Sequence, residues 1–158
     1  MSPKIVPEAT HHLFQAISTW TRAERVILTN ISFPSEPLDG RDQSLPALSH
    51  LRYLYLGQAT FLSPSLIAEI TLQGFEGPHK KHSSRLEAIR LVDVYQESLW
   101  GKRLRRFDIE KAALALPASK NYGTNAVLVG RVRSIVRCEA MNERIMGGDR
   151  SEGLVALE

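Results

Sequence analysis

The chain has 158 residues, of which 43% are hydrophobic, and this length and composition suit a single domain with a buried core rather than a disordered chain. Its 20 basic and 17 acidic side chains leave a net charge of +3, which is too small to require a nucleic acid or an anionic membrane as partner. A single cysteine cannot form an internal disulfide, and no apolar stretch approaches the roughly 20 residues of a membrane span. We therefore expect a cytoplasmic or nuclear protein.

The first predicted element is a helix in the segment PEATHHLFQAISTW, residues 7–20. Its apolar positions are Leu13, Phe14 and Ile17, and we expect the helix to cover the first strand of the fold. The segment 35–49 is rich in proline, glycine, aspartate and serine, so it is predicted to be a loop.

Two further helices are predicted later in the chain. In SPSLIAEITLQ, residues 63–73, Ser63 suits the N-cap position and Pro64 suits the first helical position. The run DIEKAALAL, residues 108–116, is rich in strong helix formers and is followed by Pro117. The inward positions of this second helix are predicted to be Ile109, Ala112, Ala113 and Leu114.

A short apolar motif returns four times along the chain and is its most informative feature. Each copy has an apolar residue, a variable residue, a second apolar residue and, three positions on, a third. The copies are Val26, Leu28, Ile31; Leu54, Leu56, Ala59; Ile89, Leu91, Val94; and Val136, Cys138, Met141. This pattern is typical of leucine-rich repeats, in which each unit contributes one short parallel strand and a return helix to a stack.

The motif predicts an α/β fold: a short leucine-rich-repeat solenoid of about four parallel strands with helices on the convex side. The strands are expected near 25–33, 53–61, 88–95 and 135–141, within a single domain that spans 1–158. Because segments 89–102 and 136–148 are similar to each other, the tail is predicted to begin a fourth return helix. No capping repeat is seen behind it, so we expect the chain to be a fragment of a longer array.

Segments 20–34, 45–70, 85–114 and 136–158 resemble the leucine-rich-repeat region of fungal F-box proteins, above all those of mushroom-forming fungi. In such proteins an N-terminal F-box docks on a Skp-type adaptor of a cullin ubiquitin ligase, while the repeats choose the protein to be ubiquitinated. The predicted first helix is too short to supply a multi-helix F-box. The resemblance therefore implies only the recognition half, a non-catalytic module with a protein partner, and does not extend to binding of the Skp-type adaptor.

If the motif residues point inward, strand alternation places the residues between them on an open face. The predicted partner-binding residues on this face are Arg25, Ile27, Tyr53, Tyr55, Arg90, Arg137 and Glu139. Tyrosine and arginine often anchor protein interfaces, and a row of arginines also suits an acidic or phosphorylated peptide. The alternative is that these residue types only tolerate half-exposed strand positions.

No residue is predicted to be catalytic, to ligate a metal or to hold a cofactor. The histidine-rich run 79–82 has no acidic residue or cysteine at ligand spacing, and Cys138 falls on an inward position, where cysteine fills apolar space. The run KRLRR, 102–106, resembles a short basic patch, although we favour the solvated start of a helix. Two other functions stay open: a weak RNA-associated module that uses this run, and a truncated or decayed gene product without independent activity.

Overall fold

The computed structural model of the protein describes residues 9–33, 46–75, 85–98, 101–116, 124–141 and 154–158. In chain order these residues form α1 (Ala9–Thr19), β1 (Arg25–Thr29), β2 (Tyr53–Gly57), α2 (Pro64–Leu72), β3 (Ala88–Val92), α3 (Arg106–Ala115), α4 (Asn125–Ile135), β4 (Val136–Met141) and β5 (Leu154–Ala156). Most of the predicted loop 35–49 and the whole histidine-rich run 79–82 lie outside the described residues.

The described strands form one sheet in the order β1-β2-β3-β4-β5. The first four strands are parallel to their neighbours, and β5 runs antiparallel to β4. Across the parallel strands the first residues of the four motif copies lie opposite one another: Val26, Leu54, Ile89 and Val136. The α/β class and the four parallel strands predicted from the motif are therefore confirmed.

The hydrophobic core lies on one side of this sheet. Its strand residues, none more than 6% exposed, include Val26, Leu54, Leu56, Ile89, Leu91, Val136 and Cys138. Its helix residues include Phe14, Ile17, Ile67, Ile70, Ile109, Ala113, Leu128 and Val132. Because the helices and the inward strand residues belong to the same cluster, all the described helices pack on one side of the sheet.

The start of α2 follows the predicted capping pattern. The Ser63 side-chain oxygen accepts a hydrogen bond from the Ser65 backbone N–H at 3.2 Å, and Pro64 occupies the first helical position. In α3, Ile109 and Ala113 are buried and Ala112 packs against the core, as predicted. Leu114 is 37% exposed, so its predicted inward position is wrong. One residue along a helix turns the side chain by about 100°, and this step carries residue 114 away from the core.

The same backbone turn follows each of the first three strands. The residue directly after each strand has a left-handed conformation: Asn30 with φ 56°, Gln58 with φ 51° and Asp93 with φ 52°. The N–H of each donates a 2.9 Å hydrogen bond to the next strand, to the carbonyl oxygens of Gly57, Val92 and Glu139 respectively. Three successive units thus leave the sheet by one repeated geometry, and this geometry fixes the register of each strand on the next.

The fourth copy of the motif departs from this geometry. Ala140, which by register is the counterpart of Asp93, remains within β4 in an extended conformation. The strand therefore runs on to Met141, and alternation turns that side chain outward, where it is 51% exposed. The predicted inward position of Met141 is wrong because the fourth unit lacks the left-handed turn. The predicted start of this strand also moves by one residue, since Ile135 is the buried last residue of α4.

At residues 154–158 the tail contains a strand and not the predicted return helix, and the first part of that prediction, 149–153, lies outside the described residues. In β5, Ala156 lies opposite Glu139 and Leu154 lies opposite Met141. The next residue, Leu157, donates its N–H to the Cys138 carbonyl oxygen at 2.7 Å. The helix prediction is wrong because the edge of β4 offers backbone groups that an extended segment can pair with and a helix cannot. Along these residues β5 covers the edge that the sequence had suggested would be exposed.

We expect Leu56→Asp to unfold the protein and Tyr55→Asp to leave it folded. Leu56 is 0% exposed, so an aspartate there buries an unpaired charge and removes core packing, a loss of more than about 4 kcal/mol. Tyr55 is half-buried on the other side of the sheet, and its replacement is expected to cost about 1–2 kcal/mol. Circular dichroism with urea denaturation measures both, and equal damage from the two variants would contradict the facing of β2.

The left-handed turn at Gln58 gives a second prediction. Gln58→Gly is expected to raise the free energy of unfolding, because relief of about 1–2 kcal/mol of left-handed strain exceeds the entropic cost of about 0.5–1 kcal/mol for glycine. Gln58→Val serves as the opposite case and is expected to lower stability, since a β-branched side chain is least tolerated at positive φ. If urea denaturation ranked valine above glycine, the assigned backbone conformation would be wrong.

Candidate binding face

Strand register collects the outward side chains into rows on the side of the sheet away from the core, and we call this side the open face. Its rows are Arg25, Tyr53 and Ala88; Ile27, Tyr55, Arg90 and Arg137; and Thr29, Gly57, Val92 and Glu139. The structure therefore brings all the partner-binding residues predicted from the sequence onto one surface. The central row, from Ile27 to Arg137, crosses all four parallel strands.

Arg90 and Glu139 form an ion pair across β3 and β4 on the open face. Arg90 donates from Nε and Nη2 to the two carboxylate oxygens of Glu139, each at 3.2 Å. The Glu139 side chain is only 14% exposed, and that of Arg90 is 36% exposed. Hydrogen bonding to Glu139 raises the pKa of Arg90 above its usual value. The two-point contact holds both side chains in place and compensates the charge of Arg90.

The β1 and β2 side of the open face is aromatic and apolar. The Arg25 guanidinium carbon lies 5.1 Å from the centroid of the Tyr53 ring, within the range of a cation–π interaction. The Tyr55 ring packs closely against Gly57, and a Cβ atom added at this glycine would lie 3.0 Å from Tyr55 Cε1. Beside Tyr55, the Ile27 side chain is 59% exposed. An exposed isoleucine next to tyrosine rings is a combination suited to binding an apolar side chain.

The β4 end of the open face borders a cleft that sequence reasoning did not predict. The cleft has a volume of about 280 Å³, and its lining includes Arg106, Arg137, Glu139, Ala156, Leu157 and Glu158. Two contacts form its walls. Strand β5 lies beside β4, and the backbone N–H of Arg106 donates to the Leu157 carbonyl oxygen at 3.1 Å. The only sequence signal for it was the short apolar run at 154–157, which is long enough for an edge strand and too short for a helix.

A row of charges lines the rim where the strands begin, and this row was also missed. Arg52 lies between two carboxylates, at 2.7 Å from Glu87 and 3.5 Å from Glu24. Its hydrogen bond to Glu87 raises the pKa of Arg52. Glu24, Arg52 and Glu87 are the residues directly before β1, β2 and β3. The strand register therefore places the arginine between the two glutamates. Because these side chains are exposed, their ion pairs stabilise the fold little, and their main effect is to hold the side chains at the rim in place.

The basic run 102–106 lies directly before α3 and ends at the first residue of that helix. Most of its positive charges stand 3.6–3.9 Å from carboxylates: Lys102 with Asp108, Arg103 with Asp93, and Arg106 with Glu110 and Glu158. The leucine in the middle of the run, Leu104, is 1% exposed. This arrangement favours the solvated start of a helix over a patch for nucleic acid, because carboxylates beside most of these cations leave the run with little net positive charge for a phosphate backbone.

Cys138 points into the core, as predicted from its motif position. It is 3% exposed, and burial raises the pKa of its thiol to about 12. The nearby Arg106 acts in the opposite direction but does not offset the burial. A thiol in this environment stays protonated at neutral pH and behaves as an apolar filler.

Within the described parts of the chain, no three histidine, cysteine, aspartate or glutamate side chains lie close enough to hold a metal ion. None of the described helices has the length and apolar character needed to cross a membrane. Comparison of the chain with protein-family models, with curated proteins and with solved structures finds no match. A functional proposal for the chain therefore depends on its own geometry.

We expect Cys138 to react with a thiol reagent such as DTNB only as fast as the protein unfolds. With a pKa of about 12 the thiolate fraction near neutral pH is on the order of 10⁻⁵, and the buried sulfur is also shielded from the reagent. Absorbance at the reagent's wavelength follows the reaction in buffer and in urea. Prompt stoichiometric labelling in buffer would contradict the buried placement of this side chain.

Proposed function

We propose that the chain is a non-catalytic protein-recognition module that binds a partner protein through its open face. The observation that carries this proposal is the central row of Ile27, Tyr55, Arg90 and Arg137, which strand register aligns across four parallel strands. The row joins an exposed apolar side chain, an aromatic ring and two guanidinium groups. Such a mixture is enriched at the energetically dominant positions of protein interfaces.

We further propose that the architecture is a short leucine-rich-repeat solenoid. Its support is the repetition of one unit: an inward pair of apolar residues, a left-handed residue after the strand and a hydrogen bond from that residue to the next strand. The position of the described helices on one side of the sheet agrees with it. The fourth unit differs, since it lacks the turn and is paired with antiparallel β5.

For the role within a cell, we propose the one that the resemblance to fungal F-box proteins implies. In that role the module recognises the protein to be ubiquitinated, while an F-box elsewhere contacts the adaptor. The open face supports the recognition half of this proposal, because its tyrosine and arginine side chains are already held in place. Arg25 is stacked on Tyr53, and Arg90 is bound to Glu139. Side chains ordered before binding lose less entropy when a partner arrives.

The alternative for this face is a passive one, in which Tyr and Arg only tolerate half-exposed strand positions. Ile27 argues against it, because this large apolar side chain on edge strand β1 is 59% exposed. A solitary exposed apolar residue is common, but Ile27 lies directly opposite Tyr55. Together they form a continuous apolar surface that a partner side chain can cover.

The proposal is tested by removing one cation–π pair from each side of the molecule. Arg25→Ala with Tyr53→Ala takes the pair from the open face, and Phe107→Ala with Lys111→Ala takes a similar pair from α3. Proteins cross-linked to each variant in cells are compared by quantitative mass spectrometry. We expect the open-face variant to lose its specific partners by about tenfold or more, which is the usual loss at an interface anchor, and the helix variant to keep them.

Unchanged partner lists in the open-face variant would contradict the proposal. Thermal melting of both variants provides the folding control, since neither pair contributes to the hydrophobic cluster.

A further inference from the structure

Of the three arginines on the open face, Arg137 on β4 is the one that has no side-chain partner among the described residues. Arg90 is occupied by the two-point contact with Glu139. Arg25 stacks on the Tyr53 ring at the opposite end of the face. Arg137 is exposed, and the described residues give it neither a hydrogen bond nor an ion pair. A negatively charged group of a partner is therefore attracted to the β4 end of the central row.

The cleft that borders Arg137 contains a second guanidinium group with unused capacity. Arg106 Nε is buried and has no hydrogen-bond partner among the described residues. Its nearest carboxylate oxygens, from Glu110 and Glu158, stand 3.7 Å from Arg106 nitrogens, which is longer than a hydrogen bond. Glu110 is already bound to Arg133 at 2.8 Å. The Arg106 nitrogen that faces exposed Glu158 is Nη2, and because this contact is longer than a hydrogen bond, a ligand carboxylate that replaces Glu158 there gains a stronger contact.

The charge of the cleft suits a single carboxylate. The guanidinium groups of Arg106 and Arg137 line the cleft together with the carboxylates of Glu139 and Glu158, and Glu139 is already bound by Arg90. Glu158 stands 3.7 Å from Arg106, so Arg137 is the cation of the cleft that has no carboxylate partner among the described residues. Glu158 is 76% exposed and therefore held weakly by Arg106. A singly charged aspartate or glutamate completes this balance. A doubly charged phosphate exceeds it and faces two carboxylates that repel it.

The central row also sets a distance. Neighbouring strands lie about 4.8 Å apart, so Ile27 and Arg137 are separated by about 14 Å across three strand spacings. An extended peptide advances about 3.3 Å per residue, and about four residues cover this distance. The two ends of the row can then be contacted by side chains of one short peptide segment.

We propose that the open face binds an extended segment of a partner protein that carries an apolar residue and, about four positions away, an aspartate or glutamate. The apolar side chain covers Ile27 and Tyr55, and the carboxylate enters the cleft between Arg137 and Arg106. This inference rests on the proposed function and specifies the partner's chemistry. It also gives Glu158 a role as the group that the partner's carboxylate displaces from Arg106.

A peptide array tests the spacing and the charge together. Each peptide contains one leucine and one glutamate separated by a variable number of glycine and serine residues, and the full chain is applied as the labelled probe. We expect the bound label to be greatest when the glutamate lies about four positions from the leucine. Replacement of the glutamate by glutamine is expected to lower binding by about tenfold, as for the loss of a charged hydrogen bond.

Variants of the full chain test which residues receive the carboxylate. Arg137→Glu is expected to reverse the preference from glutamate to lysine peptides, and Glu158→Gln to strengthen binding of glutamate peptides, because it removes the competing carboxylate. Arg22→Glu is the matched control: it changes the net charge equally at an exposed position before β1 and leaves the preference unchanged.

Three results would overturn the inference: binding independent of the separation, a glutamate preference that survives Arg137→Glu, or tighter binding of phosphoserine than of glutamate peptides. If these appear while the open-face variant still loses its cellular partners, the inference is wrong and the proposed function stands. If the cellular partners are also unaffected, both are wrong.

Discussion

Strand register is the constraint on which the rest of this structure depends. The left-handed residue after each of the first three strands ties the end of that strand to the next one by a 2.9 Å hydrogen bond. Because the side-chain period of a strand is two, a slip of one residue would exchange the core and the open face. The apolar cluster, the central row and the charged rim thus all follow from one repeated backbone contact.

The Arg90 and Glu139 pair shows how register becomes surface chemistry. Arg90 lies opposite Arg137, and Glu139 is two residues further along β4, so the pair runs diagonally between strands. Two guanidinium groups that the sequence presents as equivalent become different, since Arg90 is bound to Glu139 and Arg137 has no partner among the described residues. The open face therefore has an apolar end and a cationic end, with an ordered ion pair between them.

Much of the sheet could be predicted from the sequence because its signal is local. The spacing of Leu54 and Leu56, or of Ile89 and Leu91, indicates which face of a strand points inward. Repetition of that spacing along the chain indicates that the strands are parallel neighbours in one sheet. The misplaced residues depend on non-local geometry. Met141 turns outward because Ala140 lacks the left-handed turn, and the tail becomes a strand because an edge is available to it. The cleft and the Arg90 contact required coordinates, since their members come from elements far apart in the chain.

The antiparallel direction of β5 gives the stack two unlike ends. A further repeat of the same kind joins a parallel neighbour through backbone groups that, on β4, are taken by Ala156 and Leu157. A further parallel strand can pair with β4 only after β5 detaches, whereas a strand that pairs with β1 leaves β5 in place. The described sheet is therefore asymmetric: β5 occupies the hydrogen-bonding edge of β4 along residues 139–141, whereas no described strand lies beside β1.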